Sequence, residues 1–183
     1  YYHAIDLFGN VPFFTEENSV GSEGPKQVSR AWLWDWMVGE CNELIEGSDL
    51  KDAKATEYGR INKESVQMIL AKLYLNAEVW KGEDHYEDCA AICQALKAKF
   101  PALHANYLDL FSADNHKCVI SSTYPGTEIF FAVPQDGVNI RSYGATNYII
   151  FASTGGDMDA AGDMGISSGW GGLTLTKAFV DKF

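Results

Sequence analysis

Asn62–Lys99, NKESVQMILAKLYLNAEVWKGEDHYEDCAAICQALKAK, is the stretch whose reading decides the fold. Val66, Ile69, Leu70, Leu73, Ala77 and Trp80 recur at three-four spacing through good helix formers, which predicts a helix with one apolar face. Asn62 stands where a side-chain oxygen can accept from the first free amides, and Gly82 breaks the run. Asp84 precedes Glu87 by three positions, a capping-box-like start with Asp in the Ser/Thr slot. Tyr86, Cys89, Cys93 and Leu96 are then expected to form the buried stripe of a second helix to about Lys99, which Pro101 stops.

Two antiparallel helices joined by a short polar break resemble a tetratricopeptide-type unit, with Cys89 in the small-residue place that allows close approach. The link from Tyr74 to Tyr86 is about six residues too long for the standard repeat, so the unit is degenerate. Upstream, Ala31, Trp34, Val38, Cys41 and Ile45, widened by Leu33, Met37 and Leu44, predict a helix over Val28 to Glu46 with protein on both sides, ended by Gly47. Trp32, Trp34 and Trp36 occupy all sides of that helix and read as core or interface residues. The first sixteen residues, YYHAIDLFGNVPFFTE, read as a helix end that is turned and pinned. Gly9 suits a left-handed cap and Pro12 holds Val11 extended. Residues 15 to 27, rich in Glu, Ser, Gly and Pro, read as a surface connection.

Beyond residue 100 the character changes. Residues 105 to 111 (ANYLDLF) read as a short apolar turn, and 128 to 133 (EIFFAV) as a β-forming run followed by the turn signals Pro134 and Gly137. Residues 135 to 172 are glycine-rich, aromatic and without clear period, as functional loops often are. Leu175, Ala178, Phe179 and Val180 suggest a closing helix. The expected class is mainly α: tetratricopeptide-like helical pairs with an irregular, loop-rich, minor β region. The expected organisation is one segment, with a helical scaffold over 1–112, a loop-rich part with a short strand over 113–173, and the start of a further helix over 174–183.

At 183 residues, 46% hydrophobic and 13% aromatic, the chain can bury the core of an ordinary domain. It opens and closes inside apparent helices without caps, which reads as an internal piece of a longer protein. A net charge of −11 and no Lys/Arg cluster argue against nucleic acid as a partner. No apolar run approaches the roughly 20 residues of a membrane-spanning helix, and no signal-peptide pattern is present. Cys41, Cys89, Cys93 and Cys118 form no CxxC pair and read as buried small residues.

Catalytic and metal patterns fail on context. Residues 165–169 match GxSxG around Ser167, but Asp157 to Met164 is no apolar strand and Trp170-Gly171-Gly172 opens no helix. Asp157, Asp159, Gly162 and Asp163 echo half a calcium loop, yet Ser168 stands where the bidentate Glu belongs. His3, His85, His104 and His116 are scattered without HExxH, and the glycines include no GK[ST]. No cofactor or metal is expected.

The segment DLFGNVP at 6–12 resembles the DLFGDVP of the SusD/RagB family, the surface nutrient-binding lipoproteins of Bacteroidetes-type outer membranes. Further anchors follow in the family's order: ILAKLYLNAEVW at 69–80, the helix of Tyr86, NYLDLF at 106–111, EIFFAV at 128–133 and GWGGLTLTKAFVDKF at 169–183. SADNHKCVISSTYPGT, between Phe111 and Glu128, is longer than the family pattern leads one to expect. The resemblance implies an internal SusD-like segment with no catalytic activity. It implies an outward-facing position on the outer membrane through a lipid anchor upstream of this chain, an oligosaccharide ligand, and a TonB-dependent SusC-like transporter as partner.

The irregular region is where a ligand site is expected. Sugar rings offer flat apolar faces to aromatic rings and hydroxyls to polar groups, a mixture that Arg141, Tyr143, Asn147, Tyr148 and Trp170 supply. Trp170, flanked by Gly169 and Gly171, is the leading candidate. The plainer alternative is that Tyr143, Tyr148 and Trp170 pack the loop onto helices. A peptide-binding RagB-like protein, a secreted hydrolase and a generic helical-repeat scaffold are the competing functional classes.

Overall fold

A computed structural model describes the chain except residues 20, 22, 113, 124–127, 136–138 and 141–144, and gives the backbone alone for 145–147. The described residues are mainly helical and fall into two units, Tyr1–Ala132 and Val133–Phe183. The first unit contains α1 (Tyr2–Leu7), β1 (Val11–Phe13), β2 (Lys26–Val28), α2 (Arg30–Glu46), α3 (Lys63–Leu75), α4 (Ala77–Lys81) and α5 (Tyr86–Lys99).

Local chemistry explains where most of these helices begin and end. Ser29 caps α2 by accepting from the Trp32 amide at 3.2 Å, and Asn62 caps α3 by accepting from Ser65 at 3.0 Å. Asn62, 1% exposed, also donates to the Phe130 carbonyl at 2.6 Å, so one side chain both starts a helix and holds a distant segment. Gly82, at φ +87°, closes α4 in the left-handed conformation that a side chain disfavours. The cap of α5 differs from the sequence expectation. It falls at His85, not Asp84, with Nδ1 2.8 Å from Asp88 Oδ2 and no side-chain bond to a free amide. At α1 the turn is made by Phe8 in an extended conformation, and Gly9 is not among the left-handed glycines.

Contacts between helix ends show that α2, α3 and α5 run alternately up and down. The indole N–H of Trp34, near the start of α2, donates to the Leu73 carbonyl near the end of α3 at 2.8 Å. Lys99, at the end of α5, meets Glu64 at the start of α3, and also lies 3.2 Å from Asp52. The Glu64 side chain is fully buried and takes a second bond, from the Ala53 amide at 2.6 Å, so its carboxylate is paired on both oxygens. Burial pulls the Lys99 ammonium down, but its bonds to Glu64 and Asp52 outweigh that and leave its pKa raised.

Ile5, Val11, Leu33, Trp34, Met37, Leu70 and Leu73 are central to the core of this unit. Removing a side chain such as Leu73 from water stabilises by about 2–3 kcal/mol. Of the three α2 tryptophans, Trp34 is buried, Trp36 half-buried and Trp32 exposed, the last two flanking Phe13 with ring centroids 4.9 Å away. The buried face of α5 is rotated from the expected stripe. Ile92 and Leu96 turn inward and Cys89 is half-buried, whereas Tyr86 and Cys93 are exposed, because the covered face of α5 is the one packed against α3. Cys41 and Cys118 are buried as expected.

The β structure also moves. Val11 pairs with Val28 and Phe13 with Lys26 in an antiparallel ladder that brackets the connection, so Lys26 and Gln27 are strand and Val28 precedes the helix it was expected to open. The run at 128–133 contributes a parallel bridge from Ile129 to Val119. Tyr107–Phe111 forms a 3₁₀ turn capped by Asn106, with Tyr107, Leu108 and Phe111 exposed. Among the described residues no helix is long and apolar enough to cross a membrane.

The second unit contains α6 (Ala145–Ser153) and the short α7 (Lys177–Val180). The first lies within the glycine-rich stretch that shows no clear period.

Candidate ligand-binding site

The last carbonyls of a helix have no partner within it, and α6 ends with such groups next to Gly155 and Gly156. The irregular segment 169–173 supplies the missing donors. Trp170 N–H donates to Phe151 O at 2.7 Å and Gly171 N–H to Thr154 O at 3.0 Å, while Gly172 and Leu173 both donate to Ala152 O at 2.8 Å. Thr154 and Ala152 are buried beneath this strap.

The strap lays the Trp170 indole over the outer side of α6. Its ring centroid is 5.2 Å from Phe151 at 38° and 6.0 Å from Tyr148 at 65°. These are tilted and edge-on arrangements favoured by ring quadrupoles. Trp170 and Tyr148 remain 48% and 47% exposed, so the pair is packed against the helix and open to solvent at once. The plainer sequence reading, rings that pack the loop onto a helix, describes the contact of Trp170 with α6.

Of the five residues expected at the site, the structure brings together Tyr148 and Trp170. Asn147 lies in α6, one residue before Tyr148, with its side chain outside the described set, and Arg141 and Tyr143 lie outside the described residues. Phe151 is the ring that sequence reasoning missed. It follows Tyr148 by three positions, the spacing that puts two side chains on one helix face, and reading 145–153 as a helix would have found it.

Other constellations resolve differently. His104 Nε2 lies 3.0 Å from Asp109 Oδ2 and 3.6 Å from Cys118 Sγ. A nucleophile relay needs sulfur and carboxylate on opposite ring nitrogens, whereas both meet the same one here. Burial pushes the Cys118 thiol up, and the carboxylates of Asp109, Asp114 and Glu128 push it further, so the nucleophilic thiolate is disfavoured. Asp159 Oδ1 accepts from the amides of Ala161 and Gly162 at 3.1 and 2.9 Å, which spends that oxygen on its own turn. Ser167 lies in irregular backbone with neither a strand before it nor a helix after it. Among the described residues, no three His, Cys, Asp or Glu side chains are placed to hold a metal ion.

A groove of about 290 Å³ between α2, α3 and α5 has Ile45, Leu70 and Ile92 at its apolar lining and Asn42, Tyr74 and Asp88 among its polar groups. Burial raises the Tyr74 hydroxyl pKa even though a hydrogen bond with Asn42 opposes the shift. Asp88 is engaged with His85, and the Tyr74 ring stacks on that imidazole at 5.5 Å. These polar groups therefore already serve one another.

The architecture is that of a helical-pair protein with an aromatic-faced, glycine-strapped second unit, and the chain is similar over its whole length to a starch-binding protein. It is 28% identical over 183 residues to the starch-binding protein SusD of Bacteroides thetaiotaomicron, an alignment that covers all of this chain. The chain spans 31% of the length of that curated relative. No family model matches it.

Proposed function

We propose that the chain is part of a non-catalytic glycan-binding protein of the outer-membrane surface. The observation that carries this reading is the paired exposed face of Tyr148 and Trp170, in a chain similar throughout to a protein named for binding starch. A sugar ring stacks on Trp170 with Tyr148 at its edge. Asn147, Arg141 and Tyr143, named for their chemistry in the sequence, are the proposed hydrogen-bonding partners of the sugar hydroxyls. The full protein is held outward-facing by a lipid anchor outside this chain and passes oligosaccharide to a TonB-dependent SusC-like transporter.

Calorimetric titration of the full-length protein with maltoheptaose tests the ligand, and Trp170→Ala tests the site. The expected result is saturable binding without product formation, weakened at least about tenfold by the substitution, the equivalent of about 1.4 kcal/mol. Equal affinities would remove Trp170 from the site, binding of a peptide pool in place of sugars would move the protein to the peptide class, and sugar release would make it a hydrolase. Co-purification of a transporter with the tagged protein from outer membranes tests the partner.

A further inference from the structure

We infer that Gly155 and Gly169 are the positioning residues of the Trp170 face, acting through backbone contact without touching a ligand themselves. A carbon added at Gly169 would stand 2.0 Å from Thr154 O and 2.6 Å from Thr154 C. One added at Gly155 would stand 2.8 Å from Gly171 Cα. Both obstacles are main-chain atoms, so no side-chain rotation relieves them. By contrast, a carbon added at Gly39 in α2 meets nothing within 4 Å.

This seam is where the strap seats on α6. Gly169 precedes Trp170, whose amide makes the shortest of the strap's bonds to the helix carbonyls, 2.7 Å to Phe151. Gly171 follows it at φ +61°, a conformation that favours glycine. The indole is therefore bracketed by two backbone positions that tolerate no side chain, one through space and the other through conformation. Its distance from Phe151 and Tyr148 follows how closely the strap approaches, since the backbone on both sides of the half-exposed ring is seated on α6. Preorganising an aromatic face in this way cuts the entropy lost on binding. A methyl group at Gly169 lifts the strap, breaks the amide bonds of 170–173 and releases the ring.

The role in binding rests on the reading that Trp170 contacts the glycan, and the test separates the two. In the full-length protein labelled with 5-fluorotryptophan, the Trp170 ¹⁹F signal is identified by its loss in Trp170→Phe. Gly169→Ala is expected to shift or broaden that signal, leave those of the α2 tryptophans and the melting of the helices in place, and weaken maltoheptaose at least about tenfold. Adding Trp170→Ala to Gly169→Ala should weaken binding no further, because the ring is already displaced. Gly39→Ala, an equal methyl in open space, should change neither signal nor affinity. Gly155→Ala, whose clash is milder, provides the same comparison should Gly169→Ala fail to accumulate. An unmoved Trp170 signal in these variants would overturn the inference, as would losses that add in the double variant. If Trp170→Ala binds like wild type while its signal still moves in Gly169→Ala, the glycan reading has failed and the backbone clasp stands.

Discussion

The two units hold their shape by different means. In Tyr1–Ala132, side chains do the joining: Leu73, Leu33 and Ile5 are fully buried, Trp34 reaches across to a carbonyl of α3, and Lys99 closes on Glu64. In Val133–Phe183, the defining contacts of α6 are main chain to main chain, with glycines where the backbones meet. Side-chain packing depends on volume and is damaged by deletion. A backbone seam depends on the absence of volume and is damaged by addition.

Shortening a core side chain should give the largest effect. Leu73→Ala is expected to lower stability by about 2–5 kcal/mol in urea unfolding, and a loss under about 1 kcal/mol would mean that the helices rely on something other than this core. Next comes alkaline pH. Burial, with Glu40 adding to it, pushes the Cys41 thiol up to about 11 from an ordinary value near 9. The folded state therefore keeps the proton longer than the unfolded state. The associated stability is intact below pH 9 and is lost as pH rises through 11, by up to about 3 kcal/mol. Cys41→Val should flatten the alkaline limb of a pH-stability curve; an unchanged limb would assign it to other groups, such as Tyr74.

Asn62→Ala should cost about 1–2 kcal/mol through the lost cap, and hydrogen exchange should also speed up around Phe130 because that carbonyl loses its donor. Faster exchange confined to the first turn of α3 would show that the long-range bond matters little. The smallest effect has the opposite sign. Gly39→Ala in exposed helix and open space should stabilise by about 0.5–1 kcal/mol, read as a higher melting temperature, whereas the same methyl at Gly169 disrupts its unit.

How much could be read in advance followed the range of the interaction involved. The capping role of Asn62 and the stop at Gly82 were legible because a cap is made with residues a few positions away. The ladder of Val11–Phe13 with Lys26–Val28 was not, since three-residue strands carry almost no periodic signal and their pairing spans an irregular connection. Residues 145–153 gave no clear helical signal because a short apolar run fits a buried strand or helix equally. At the site, Trp170 and Tyr148 were named from their chemistry, while Phe151 and the seam at Gly155 and Gly169 were not.

The sequence by itself determined the helical class, most of the helix starts and stops, the resemblance to SusD-like proteins and the aromatic residues offered to a ligand. Each of these depends on residue type and near-neighbour spacing. Tertiary structure decided that Ile92, not Cys93, faces the core, that His85 replaces Asp84 at a helix start, and that Trp170 lies over Tyr148 and Phe151. Those outcomes depend on which surface a neighbour covers and on how closely two backbones approach, distances that residues far apart in the chain set only when packed together.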